Sequence, residues 1–251
     1  MKPETRRTLA WASAYAVAMG VLEAAVVIYL RRLYFPGGFH FPMQMVESDI
    51  AVVELWREAA TLTMLIAIGS LAGRTRAERF SYFIYCFGLW DLVYYAFLKL
   101  ALGWPESLFT WDILFLLPFP WVGPVLAPCI VALTMCGVAL TAIRFTDRGL
   151  DASMTVRERA LLSSGAAVII VSFTLDWILV DGPTFWGNIT GGRHILDGLG
   201  HYVPQHYPWW IFLVGWSLGL ASWFRYARRP RGRVSFERAD LTASRTERIL
   251  P

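Results

Sequence analysis

Charge is what this chain has least of. Only 17% of its 251 residues are Asp, Glu, Lys or Arg, against about a quarter in an ordinary soluble domain. So few charges cannot cover a water-exposed surface. With a mean hydropathy of +0.47, the shortfall excludes a simple soluble globule and points to the lipid bilayer as the partner of most of the surface. Cysteine is scarce too. Cys86, Cys129 and Cys136 are odd in number, lie in apolar segments and form no C-x-x-C pair, so they support neither a disulfide framework nor a zinc ribbon and read as small core residues. The four histidines, His40, His194, His201 and His206, all avoid the apolar segments, which argues against a b-type haem held between helices by two imidazoles. There is no G-x-S-x-G, no Walker A and no G-x-G-x-x-G after a strand, so a serine-hydrolase elbow or a nucleotide site is unsupported. Nucleic acid is not an expected partner, because the pI near 9.1 comes from arginines in loops and in the C-terminal stretch.

What is abundant is apolar sequence in runs long enough to cross a bilayer core of about 30 Å as helices. Six such runs are predicted to be helices: Leu9–Leu30, Ile50–Ala72, Phe80–Leu102, Trp121–Ile143, Ala160–Val180 and Pro208–Tyr226. The first follows Lys2, Arg6 and Arg7 as a signal peptide would, but it ends in Arg31-Arg32 without a small-residue cleavage site, which favours a retained helix. The expected fold is therefore all-α, an integral membrane bundle over residues 1–226 followed by a basic, flexible tail at 227–251.

Arginine distribution orients the bundle. Loops 1–2, 3–4 and 5–6 carry only Arg31, Arg32 and Arg193, whereas the N-terminus, the loop with Arg74, Arg76 and Arg79, the loop with Arg144, Arg148, Arg157 and Arg159, and the tail carry most of the rest. The positive-inside rule then places both termini in the cytoplasm and the arginine-poor loops outside. Trp56, Trp104, Trp111, Trp121, Trp186, Trp209 and Trp210 fall near the outer interface and Trp11 and Trp223 near the inner one, as an aromatic belt requires. Pro118, Pro120, Pro124 and Pro128 crowd together, and a helix interior tolerates proline poorly. Residues Glu106–Leu117 are accordingly expected to form an outer-face interfacial or re-entrant segment, covered by protein or lining a wet cavity.

With this topology, acidic groups from several segments share the outer half of the bilayer: Glu23 on helix 1, Glu54 and Glu58 on helix 2, Asp91 on helix 3, Asp176 on helix 5, and Asp112 at the outer edge. An ionised carboxylate at mid-bilayer costs about 2.5–3.5 kcal/mol even on lenient scales, so retained ones are hypotheses about function. Glu54 and Glu58 stand four residues apart on one face, where like charges repel, and require Arg57, an arginine such as Arg31, a bound cation or a shared proton. Asp91, Tyr95 and Lys99 form one polar stripe, as do Ser172 and Asp176. The functional reading is an outward-facing acidic pocket for a cation, metal or proton; the bland one is interhelical glue, with carboxylates paired to Arg57, Lys99 or tyrosine hydroxyls. His194, His201 and His206 are weak candidate ligands for a divalent metal ion, the candidate cofactor, because imidazole and carboxylate suit zinc, copper or iron. Ser163-Ser164-Gly165, Gly215-x-x-x-Gly219 and the alanines at 10, 14 and 18 fit close helix contacts.

At Trp90-Asp91-x-x-Tyr94-Tyr95-x-Phe97-Leu98-Lys99 and Gly103-Trp104-Pro105-Glu106-Ser107…Trp111-Asp112-Ile113-Leu114-Phe115, with Gly20-x-x-Glu23 and Tyr29-Leu30-Arg31 upstream, the first half of the chain resembles uncharacterised bacterial multi-pass membrane proteins. That resemblance implies the bacterial inner membrane and no particular activity. The residues themselves leave three readings open. They are a solute- or cation-binding transport subunit, which implies other membrane subunits as partners, a metal-dependent enzyme at the outer face, and a structural subunit of a respiratory or photosynthetic complex.

Overall fold

The computed structural model describes residues 1–42, 48–117, 120–180 and 202–232. It is mostly helical: α1 Pro3–Tyr34, α2 Ser48–Ala72, α3 Arg76–Leu102, α4 Leu126–Asp147, α5 Val156–Val180 and α6 Trp209–Arg228, with strands β1 Trp111–Phe115 and β2 Trp121–Pro124 between α3 and α4. Four of the helices, α1, α3, α4 and α5, are long and apolar enough to cross a membrane. The other two differ in composition: α2 carries charge in its first turns and α6 is rich in tryptophan.

Most helices start earlier than the apolar runs suggest, because polar residues cap them outside the apolar part. Thr75 accepts from the Glu78 amide at 3.2 Å while Glu78 accepts from the Thr75 amide at 3.1 Å, a reciprocal cap that satisfies two donors at the start of α3. Thr155 and Glu158 repeat the device at α5. At the other end of the chain α6 runs to Arg228, Arg229 pairs with the buried Glu158 at 3.1 Å, and the Arg231 guanidinium lies over Phe145 and Tyr226. The first residues of the expected tail are thus packed against helix ends, and 233–251 lie outside the described residues.

Helix α3 is the hub. It packs against α1, α2 and α4, whereas α1 and α2 scarcely meet; α5 pairs with α6 and joins the rest through β2 and α4. The α1 seam is Ala12, Ala16, Gly20 and Ala24, all buried, so the small-residue stripe has the expected spacing but another register: Ala10, Ala14 and Ala18 are exposed. A side chain at Gly20 would come within 2.8 Å of the Trp90 carbonyl on α3. The α5–α6 crossing is closer still, since a Cβ on Gly165 would meet the Gly215 carbonyl at 2.7 Å, in keeping with the close packing expected there.

The segment before α4 departs from expectation in kind. Residues 121–124 are a strand, not the start of a helix. They pair antiparallel with β1 in the register Asp112↔Gly123 and Ile113↔Val122, shifting by a bulge to Phe115↔Trp121. Beyond the strands the pairing continues through Val125 N–H to the Thr110 carbonyl at 3.0 Å and Leu126 N–H to the Leu108 carbonyl at 2.7 Å. Pro120 and Pro124 cannot donate in a helix ladder, while the hairpin needs no donor from them, and Pro128 sits in the first turn of α4, where proline is tolerated. The hairpin folds back along α3. The Phe115 ring packs on Phe87 and Trp90, with centroids 6.0 and 6.3 Å apart, so its tip reaches about 22 Å from the C-terminal end of that helix at 1.5 Å per residue.

Candidate functional site

The hairpin carries Asp112 into the protein, and the surrounding helices supply its partners. Asp112 is 2% exposed. It accepts from Arg31 of α1 at 3.1 Å and from the Tyr95 hydroxyl of α3 at 3.1 Å. Arg31 itself lies in an aromatic corner: its guanidinium carbon is 3.6 Å from the Trp104 ring centroid and 4.4 Å from that of Phe39.

About two helical turns toward the middle of the bundle, a second charged group links α1 and α2 through their side chains. Arg57 pairs with Glu23 of α1 and, through Nε at 2.8 Å, with Glu54 one turn earlier on its own helix. The Thr61 hydroxyl donates to the other Glu23 oxygen at 3.2 Å. Glu58 turns away from Glu54 and caps the hairpin: the Leu116 amide donates to its two oxygens at 2.8 and 3.0 Å and the Leu117 amide donates at 3.2 Å. These amides follow the last residue of β1, where the ladder ends, and backbone donors buried in an apolar medium demand an acceptor. Arg57 on one side and backbone N–H groups on the other offset the repulsion expected of a Glu54–Glu58 pair, although the two carboxylates still feel each other.

Asp91 lies between these groups and α4. It is half-buried, makes no hydrogen bond or ion pair among the described residues, and stands within electrostatic reach of Asp112, Tyr94, Cys129 and Cys136. Tyr94 in turn feels Arg31, Arg57 and Asp112, so Glu23, Glu54, Arg57, Glu58, Asp91, Tyr95 and Asp112 do gather in one polar cluster.

Three expected members are elsewhere. Lys99 leaves the stripe and its ammonium donates to the carbonyls of Gly103 at 2.9 Å and Pro105 at 2.7 Å, completing the C-terminal end of α3, where a cation is favoured. Asp176 accepts from the Tyr202 hydroxyl at 2.5 Å, beside the Val122, Trp177 and Tyr202 core. Its stripe partner Ser172 shares a 3.0 Å hydrogen bond with Tyr207. His206 is exposed; His194 and His201 lie outside the described residues. Among the described residues no three His, Cys, Asp or Glu side chains are grouped to hold a metal, and the reason is visible in the cluster, where guanidinium groups stand between the carboxylates.

Sequence reasoning did not include Phe39, Trp104, Thr61 or Tyr94 in the site. Trp104 was expected as an interfacial anchor, yet it is buried against Arg31, and Trp121 is stacked on Phe173 at 13°. Trp223 donates to Thr141 at 3.1 Å. Exposed Trp11, Trp56 and Trp210 keep the anchor role open to them. The signal that could have found Trp104 is Gly103, whose φ of +70° ends α3 and turns the next side chain inward; that of Tyr94 is its place one turn from Asp91. Compared with family models, curated proteins and solved structures, the chain matches none.

Proposed function

We propose that this chain is a six-span protein of the bacterial inner membrane, with both termini cytoplasmic and the hairpin re-entering from the outer side, and that its polar cluster binds a small cation or cationic solute for a transport or solute-binding subunit. The observation that carries the reading is the charge balance. Among the described residues, the carboxylates of Glu23, Glu54 and Asp112 pair with the guanidinium groups of Arg31 and Arg57, while Glu58 of α2 and Asp91 of α3 stand near them without an ion pair of their own. An uncompensated excess of carboxylates inside a bilayer is neutralised by protons or by a bound cation. Among the described residues Asp91 is the carboxylate of the cluster left without a hydrogen bond or ion pair, so it is the group assigned to the ligand. Glu58 and Asp112 hold the hairpin, and Arg57 holds α1 to α2. A divalent metal fits this donor set poorly, because Arg57 and Arg31 occupy the carboxylate oxygens that a chelate would need.

The topology rests on the arginine asymmetry and agrees with the heights at which side chains meet: Glu23 late on α1 pairs with Arg57 early on α2, as antiparallel neighbours entering from opposite sides require. The test of the site is covalent. A hydrophobic carbodiimide adds to a protonated carboxyl group reached from lipid, and peptide mass spectrometry locates the adduct. Asp91 is expected to be modified, with slower modification in the presence of at least one cation from a panel of alkali, alkylammonium and guanidinium salts. Modification of Asp91 at one rate under every salt would sink the reading and leave the cluster as structural glue.

A further inference from the structure

Arg31 sits in a site built for a cation. Its guanidinium lies in the corner formed by two aromatic faces, Trp104 at 3.6 Å and Phe39 at 4.4 Å. The rings are perpendicular to one another at 6.0 Å, and a buried carboxylate, Asp112, supplies the counter-charge at 3.1 Å with Tyr95 orienting it. Two aromatic walls and one carboxylate are the chemistry that recognises guanidinium and alkylammonium ions, because ring quadrupoles attract a weakly hydrated cation.

The occupant does not use the fork that makes an arginine–carboxylate pair strong. Only Nη2 reaches Asp112, and Nη1 is buried without a hydrogen-bond partner among the described residues. A structural arginine in a dry site normally bonds in a bidentate way. Here shape and charge hold the group, and a free cation of the same shape can make the same contacts. The place is also suggestive: Arg31 is in the last turn of α1, next to the outer loops, and Asp112 links the cage to Asp91.

From this geometry we infer that the Phe39–Trp104–Asp112 cage is an organic-cation subsite, occupied in this conformation by the chain's own Arg31, and that guanidinium or alkylammonium solutes compete with Arg31 for it. The inference rests on the cation-binding reading above and narrows its ligand class. Arg31 then acts as a tethered competitor, whose effective concentration is in the millimolar range for a short tether.

Equilibrium dialysis of full-length protein in detergent against radiolabelled methylguanidinium tests it. Arg31→Ala is expected to bind saturably, one ion per chain. Wild-type protein should bind the same ion about tenfold more weakly or less, because the tether competes, and Arg31→Ala combined with Asp112→Asn should lose the tight component. Arg31→Gln, neutral and of similar length, serves if the alanine variant does not stay monodisperse. No binding to either folded variant overturns the cage. Binding to the variants but none to wild type at any concentration overturns competition and makes Arg31 a fixed latch. Carbodiimide protection at Asp91, measured on the same samples, separates these failures from failure of the cation site as a whole.

Discussion

The α1–α2–α3 face with its hairpin and the α5–α6 pair both bury helix surface, but with opposite materials. Between α5 and α6 the backbones approach through Gly165 and Gly215, Phe173 packs on Phe212, and polar contacts along the crossing are neutral, such as Ser222 donating to the Glu158 carbonyl at 2.7 Å, with the ionic pair of Arg229 and Glu158 placed where α6 ends. Around the hairpin the contacts are ionic and cross between distant elements: Arg31 with Asp112, Arg57 with Glu23, Glu58 with two backbone amides. Helices satisfy their own backbone and can meet through small residues alone, whereas a strand end inside an apolar medium cannot. Charge is spent where irregular backbone has to be held.

This contrast makes ranked predictions. Glu58→Ala should cause the largest loss, about 3–5 kcal/mol, because it strands the half-buried amides of Leu116 and Leu117 and removes a buried carboxylate, with Glu58→Gln losing less since it keeps one acceptor oxygen. Thermal unfolding in a single detergent would read both, and a near-neutral alanine variant would remove the ionic half of the comparison. On the other side, Gly165→Val should cost about 1–3 kcal/mol by forcing the Gly215 backbone away. Crosslinking between cysteines placed on α5 and α6 should fall with it while the α1–α3 distance is unchanged.

Tyr95→Phe comes next, with a loss of about 1.5 kcal/mol for one hydrogen bond to a charged group. It should also loosen Arg31, seen as stronger methylguanidinium binding; stability loss without that change would separate the hairpin from the cage. Thr134→Val removes the acceptor of the Trp216 indole, 3.0 Å away, and should cost about 0.6 kcal/mol, the usual scale for hydrogen bonds between membrane helices. A cost equal to that of Tyr95→Phe would blur the distinction between neutral and ionic contacts.

The smallest effect belongs to the solvent side. Hydrogen bonds from the amide and hydroxyl of Ser153 hold the Asp151 carboxylate below its ordinary value of 3.8. A depressed folded value means that the stability it adds is complete above that ordinary value and is lost as pH falls through the folded one. Asp151→Asn should lower stability slightly near neutral pH and flatten its fall in that acid window, where wild type and variant converge, as a pH series of unfolding midpoints would show.

How much of this could be read from residues alone follows the geometry of a helix. Depth is local, about 1.5 Å per residue along the axis, so the apolar runs located the helices and put Glu23 and Arg57 at heights where they do meet. Rotation about the axis is not local. Whether Ala12 or Ala10 faces α3, whether Lys99 turns to Asp91 or to the Gly103 carbonyl, and which carboxylate Arg57 takes are decided by the neighbours that arrive from other parts of the chain. The crowded prolines argued against a helix over Glu106–Leu117 without revealing the hairpin, and they left a helix expected from Trp121 where β2 stands, because a strand exists only with its partner. The sequence by itself therefore determined the helical segments and the common level of their charges; the hairpin, its Glu58 cap and the aromatic cage around Arg31 were decided by tertiary packing, which alone brings groups distant along the chain within hydrogen-bonding reach.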